Sequence, residues 1–152
     1  MQETTEKGAG AVEASAEATA DDQAKRFAKF EKTLNKATLA GKFTIVGRDA
    51  EPKEERYEIR RVKKLEQDDL WLFVARIKYG KNDLVVPMPL QVKWVASTPV
   101  ITLDNVTIPG LGTFSAYVII DNDKYAGTWT HGKVSGHLFG RIEHEAEEKK
   151  TE

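Results

Sequence analysis

A chain of 152 residues that is 40% hydrophobic and 31% charged, with three tryptophans and no cysteine, has the size and composition of one folded domain with one compact core. Its formal net charge of −1, with basic and acidic residues interspersed, excludes the dense basic footprint of a nucleic-acid binder. The lack of cysteine excludes disulfides, thiol catalysis and thiolate metal sites. No stretch is long and apolar enough for a membrane-spanning helix, so no membrane span is expected. Met1 to Ala24 has neither the basic start nor the apolar run of a secretory signal. The Ala-, Glu- and Thr-rich segment after Met1 is what an exported protein would begin with after loss of its signal, which makes a periplasmic or secreted location the expectation.

Residues 1–20 hold Val12 as their only large aliphatic after Met1, too little apolar surface to offset the entropy of ordering, and predict a disordered leader. From Asp21 or Asp22, acceptable helix N-caps, Phe27, Phe30, Leu34 and Ala37 follow at spacings of three, four and three, which predicts one amphipathic helix over residues 21–41. Its Phe27, Phe30 and Leu34 stripe is expected to pack on the following domain as a lid, with a partner-binding helix as the alternative. Past Gly41 the apolar period changes to two, the signature of strands. The clearest are Asp69 to Tyr79, with Trp71, Phe73, Ala75, Ile77 and Tyr79 on one face, and Leu90 to Ala96, with Leu90, Val92, Trp94 and Ala96 on one face. Weaker alternation occurs at Phe43 to Arg48, Arg56 to Leu65, Asp83 to Pro87, Val100 to Leu103, Thr113 to Asp121, Tyr125 to Thr130 and His137 to Glu143. Residues 143–152 read as a charged tail.

The connections at Tyr79 to Asp83, Ile108 to Gly112, Asp121 to Lys124 and Gly132 to Gly136 supply the Gly, Asn, Asp or Pro of tight turns and leave no room for a crossover helix. Eight or nine short antiparallel strands joined this way predict a mainly β fold over residues 42–142, an up-and-down barrel closed so as to remove its edges. A two-sheet sandwich is the alternative, less favoured because it needs longer crossing connections.

Tyr125-Ala126-Gly127-Thr128-Trp129 followed by Gly140-Arg141 resembles the Gly-x-Trp and Arg signature of the lipocalin and avidin superfamily, the calycin-type barrels. The chain as a whole is similar to uncharacterised bacterial lipocalin-like proteins, which implies a fold and no activity. The resemblance implies that Trp129 closes one end of a barrel and that Arg141 stacks over it. The departure is positional, since the family carries this motif in its first strand and here it lies in the penultimate one. On the residues alone, Gly127 allows close backbone approach and Trp129 fills core.

The expected ligand-binding set is Trp71, Phe73, Trp94, Phe114, Tyr125, Trp129 and Arg141. Small residues between the large ones, Ala75, Ala96, Ala116 and Gly127, leave either an apolar cavity or a tapered, filled interior. The function this predicts is noncatalytic binding of a small apolar or amphipathic ligand; the alternative is a structural or protein-interaction module with a filled core. Competing chemistry has weaker signals. His131 and His137 flank a five-residue loop but lack a third ligand, so they read as exposed turn histidines and no metal is expected. Arg60-Arg61-Val62-Lys63-Lys64 is the only basic cluster and reads as a solvated surface. Ser97, Ser115 and Ser135 lack a nucleophile-elbow context, and Gly110-Leu111-Gly112 lacks the rest of a phosphate loop. Glu54-Glu55 and Asp68-Asp69 fall in predicted loops, where solvation explains them. No catalytic residue and no cofactor is assigned.

Overall fold

Alternating inward apolar residues carried by eight successive strands close on themselves. In the computed structural model, which describes residues 20–144, the strands are β1 (Ala37–Phe43), β2 (Lys53–Lys64), β3 (Leu70–Tyr79), β4 (Asn82–Val95), β5 (Thr98–Ile108), β6 (Gly112–Asp121), β7 (Lys124–His131) and β8 (Val134–His144). Each pairs antiparallel with the next and β8 pairs with β1, giving a closed up-and-down barrel. The predicted leader and most of the charged tail lie outside the described residues.

Helix α1 covers residues 20–34. The chain divides into two compact units at Lys32 and Thr33, so that Phe27 and Phe30 belong to the first and Leu34 to the second. The helix therefore ends seven residues before the expected Gly41. Lys36 takes a left-handed φ of 59°, and residues 37–43 become β1 instead. The reason is that Ala37 satisfies both periods. It lies three residues after Leu34, yet it also begins the inward series Ala37, Leu39, Gly41, Phe43 that closes the barrel. Asp21 and Asp22 lie inside the helix rather than at its cap. The strand expected over residues 43–48 is only a continuation of pairing, in which the Thr44 and Val46 amides donate to the His137 and Ser135 carbonyls at 2.8 Å.

The segments read as Asp83 to Pro87 and Leu90 to Ala96 form a single strand, β4. Ala96 is not on its inner face; it occupies the β4–β5 turn, exposed, with φ 55°. In β2 a register shift between Ile59 and Arg61 exchanges the faces, so Tyr57 and Ile59 point inward before it and Val62 after it. That bulge blurs the alternation of this strand in sequence.

The β4–β5 ladder is half a ladder: it joins Gln91–Val95 to Thr98–Thr102 only. The Val92 amide donates to the Asp69 carbonyl on the β3 side, so strand alternation aims positions 87, 89 and 91 toward β5. Pro87 and Pro89 have no amide to donate there. Pairing stops where the prolines begin, and the wall between the first half of β4 and the second half of β5 is left unlaced.

The barrel core is densely filled toward the turns that join β2 to β3 and β4 to β5. Trp71, Leu34, Val62 and Val92 are fully buried there, and the Val62 amide donates to the Asn35 side chain at 2.7 Å.

Candidate functional site

An acid on the inner face of a barrel strand is costly unless its oxygens are hydrogen-bonded. Glu55 occupies such a position on β2, only 5% exposed. Tyr57, two residues on and on the same face, donates its hydroxyl to Glu55 Oε1 at 2.8 Å. Tyr125, on β7, donates to Glu55 Oε2 at 2.8 Å.

Two strands lie between β2 and β7, and the register explains how the contact forms across them. Glu55 pairs with Gly41 of β1, Gly41 with Gly140 of β8, and Gly140 with Tyr125. The four residues form one row on the inner wall, and the two central members lack side chains. A Cβ on Gly41 would sit 2.5 Å from Tyr125 Oη. The glycine pair is the gap across which the tyrosine reaches the acid.

Burial pushes the Glu55 carboxyl from 4.5 up to about 7, outweighing the two tyrosine hydrogen bonds that lower it. Burial, and then the charge of Glu55, raises both the Tyr57 and the Tyr125 hydroxyls. Both therefore keep their protons and act as donors.

Glu55 and Tyr57 line an apolar cavity of ≈ 200 Å³ inside the barrel. Its wall includes Leu34, Leu39, Ile59, Phe73, Ala75, Ile77, Met88, Leu90, Ala116 and Leu138. An apolar cavity of this order is large enough for a small apolar molecule. Toward the end formed by the β1–β2, β3–β4, β5–β6 and β7–β8 connections, the lining becomes aromatic and half-exposed: Phe43, Tyr79, Phe114 and Trp129. Phe43 meets Tyr79 and Trp129 edge-on, with centroids 6.2 and 6.0 Å apart, and Phe114 stacks on His131 at 4.3 Å.

Of the residues singled out in the sequence, Phe73, Phe114, Trp129 and Leu34 line this cavity, and Tyr125 reaches it by its bond to Glu55. Ala75 and Ala116 line it as well. Trp71 is buried away from the cavity, and Trp94 is half-buried beyond the lining near the β4–β5 turn. Arg141 is on the outer face, its side chain 72% exposed and paired with Glu143. It pairs in register with Lys124, whereas Trp129 pairs with Gly136 toward the opposite end of the β7–β8 hairpin. Arg141 therefore does not stack over Trp129 as the family resemblance implied, because an odd position of β8 points outward while an odd position of β7 points in. Phe27 and Phe30 lie in the helical unit.

The histidines do not converge. His131 Nδ1 donates to the Thr113 carbonyl, His137 bonds Thr44, and His144 bonds the Thr33 carbonyl. No cluster of three metal-ligating side chains occurs among the described residues, and no described helix is long and apolar enough to cross a membrane.

Glu54-Glu55 does not lie in a solvated loop. β2 begins at Lys53, three residues before the expected start, and alternation places Glu54 outside and Glu55 inside. The signal was present in the spacing of Glu55, Tyr57 and Ile59, which extends the inward series back by one step. The contribution of Tyr125 had no local signal, since it rests on register across four strands.

The architecture, an eight-stranded antiparallel barrel, is consistent with a calycin-like fold. Comparison with protein-family models, with curated proteins and with solved structures finds no match in any of the three.

Proposed function

We propose that this protein is a noncatalytic, lipocalin-like binder that holds a small apolar or amphipathic molecule in the barrel interior. The observation that carries the reading is the cavity of ≈ 200 Å³, apolar along most of its wall and polar at Glu55 and Tyr57. That combination of an apolar body and a few convergent polar groups is what a small-molecule site requires. The volume lies below the few hundred Å³ usual for drug-sized ligands and favours a small occupant. Small side chains at Ala75 and Ala116, beside Phe73, Phe114 and Trp129 on the same wall, leave space in it.

Native mass spectrometry of the protein purified from its source, with tryptophan fluorescence during titration with small apolar amphiphiles, tests the reading. A copurified adduct, or saturable quenching that disappears in Trp129→Ala, is the expected result. A clean apo mass together with flat titrations would overturn it. The second reading, a protein-interaction module, rests on the outward row of Tyr117, Ile119 and Phe139, which are 49%, 45% and 44% exposed around β7. Exposed apolar rows of this kind serve protein contacts.

A further inference from the structure

The chemistry of the cavity wall narrows the ligand. Among the described residues Glu55 is the only charged side chain on that wall, and no Lys, Arg or His lines it. An anionic head group entering the barrel would meet no cation there and would face a second acid. A neutral tail alone would leave the acid as it is.

At Glu55 the donor and acceptor inventory is equally one-sided, whereas farther along the wall the buried Trp129 indole N–H is a donor without a partner among the described residues. Tyr57 and Tyr125 each donate one hydrogen bond, one to each carboxyl oxygen. A carboxylate accepts about four hydrogen bonds, so roughly two acceptor positions are left over, and they are acceptors only. The group that completes the site must donate. A cation that donates also offsets the cost of an ionised acid in an apolar enclosure, which a neutral donor does to a smaller degree.

We propose, building on the cavity-binding reading above, that the ligand is a small apolar molecule carrying a protonated amine, and that its ammonium docks on the Glu55 carboxylate between Tyr57 and Tyr125. The tail then lies along Ile59, Phe73, Ala75 and Leu90, and the aromatic end at Phe43 and Trp129 is the side open to entry.

The surroundings of Glu55 determine how such binding responds to pH. Its titratable neighbours are Tyr57 on its own strand, Tyr79 paired with it on β3, and Tyr125 reaching from β7, while Gly41 on β1 brings none. Arg141 of β8 acts on Tyr125 from outside. The tyrosines keep their protons throughout the neutral range because burial raises all three. Glu55 is the group that changes charge near pH 7, so an ammonium ligand binds more tightly as pH rises through that value and displaces a proton when it binds below it.

The experiment is isothermal titration of the full chain with n-octylamine, n-octanol and n-octanoate, three probes with one tail and different heads, at pH 6 and pH 8. Octylamine is expected to bind roughly tenfold or more tightly than octanol at pH 8. It should weaken by about tenfold at pH 6, where about a tenth of the acid is ionised, and release protons there. Octanol should be indifferent to pH, and Glu55→Gln should erase the amine preference while octanol still binds. Octanol binding as tightly as octylamine, or octanoate binding tightest, overturns the amine assignment and leaves the binding barrel intact. Failure of all three probes to bind at millimolar concentration overturns both. The wild-type comparison of heads decides the matter even if the Gln variant folds poorly.

Discussion

Tyr125 Oη donates to Glu55 Oε2 at 2.8 Å across a gap held open by Gly41 and Gly140, residues that share one row of the barrel wall. Four strands and some seventy positions of chain separate the partners, and Gly41 leaves the space that the phenol needs. A Cβ at Gly41 would crowd the phenol hydroxyl at 2.5 Å and, more closely still, the Phe139 carbonyl oxygen.

Two substitutions therefore test the row. Tyr125→Phe should cost about 1–2 kcal/mol in urea denaturation at pH 7, the value of a buried hydrogen bond to an acid. Gly41→Ala should cost as much or more, about 1–3 kcal/mol, by overpacking. A Cβ at Gly41 would also meet the Phe139 carbonyl oxygen and Gly140 Cα, so in the double variant only the part of the Gly41→Ala loss that falls on the phenol hydroxyl should disappear, and the two losses should be less than additive. Strict additivity would mean that Gly41 serves only the β1–β8 backbone contact.

The raised Glu55 carboxyl makes stability depend on pH with a definite sign. The folded state holds this proton up to about pH 7, whereas the unfolded chain releases it near 4.5. The folded state thus binds more protons between those values, and unfolding free energy falls as pH rises through that window. The full loss is about 3 kcal/mol. Asp83 is held below the usual carboxylate range by its hydrogen bond from Arg76 and acts with the opposite sign, but at lower pH. Denaturation midpoints from pH 4.5 to pH 8 should decline for the wild type and decline less for Glu55→Gln. Parallel curves would show that Glu55 titrates normally.

Filling the cavity should separate binding from folding. Ala75 is buried and on the cavity wall, so Ala75→Leu places its added atoms in empty space. Octylamine or octanol affinity should fall by roughly tenfold or more, while thermal stability holds or rises, because burying added apolar atoms is favourable where no neighbour must move. A sharp loss of stability with retained binding would place the void elsewhere.

The unlaced wall between β4 and β5 should be visible in amide exchange. Val85 shares the parity of Pro87 and Pro89, so its amide points to the side where β5 does not pair, while the Val86 and Met88 amides point to β3. Val85 should exchange markedly faster than Val86 and Met88. Equal protection at all three would mean that the ladder extends beyond Gln91.

The strands, their turns and their number were legible in the sequence because a period of two survives wherever one face is buried, and the Gly, Asn and Asp turns punctuate it. Closure into a barrel followed from the same pattern, since eight short strands with exposed edges have no simpler way to pair them. Phe73, Phe114 and Trp129 could be placed on the interior by parity alone. The limits of local pattern appear at three places. Ala37 fits a helix and a strand equally well, so the end of α1 depended on what β1 had to pair with. Pro87 and Pro89 looked like a break between strands, although a strand tolerates them where its amides face no partner. Glu55 looked like a solvated acid because nothing within ten residues says that a tyrosine seventy positions later will reach it. Side-chain parity is a local property and survives in the sequence; register between strands is set by the closing of the whole barrel, and it was register that brought Glu55, Gly41, Gly140 and Tyr125 into one row and gave an apolar cavity its single acid.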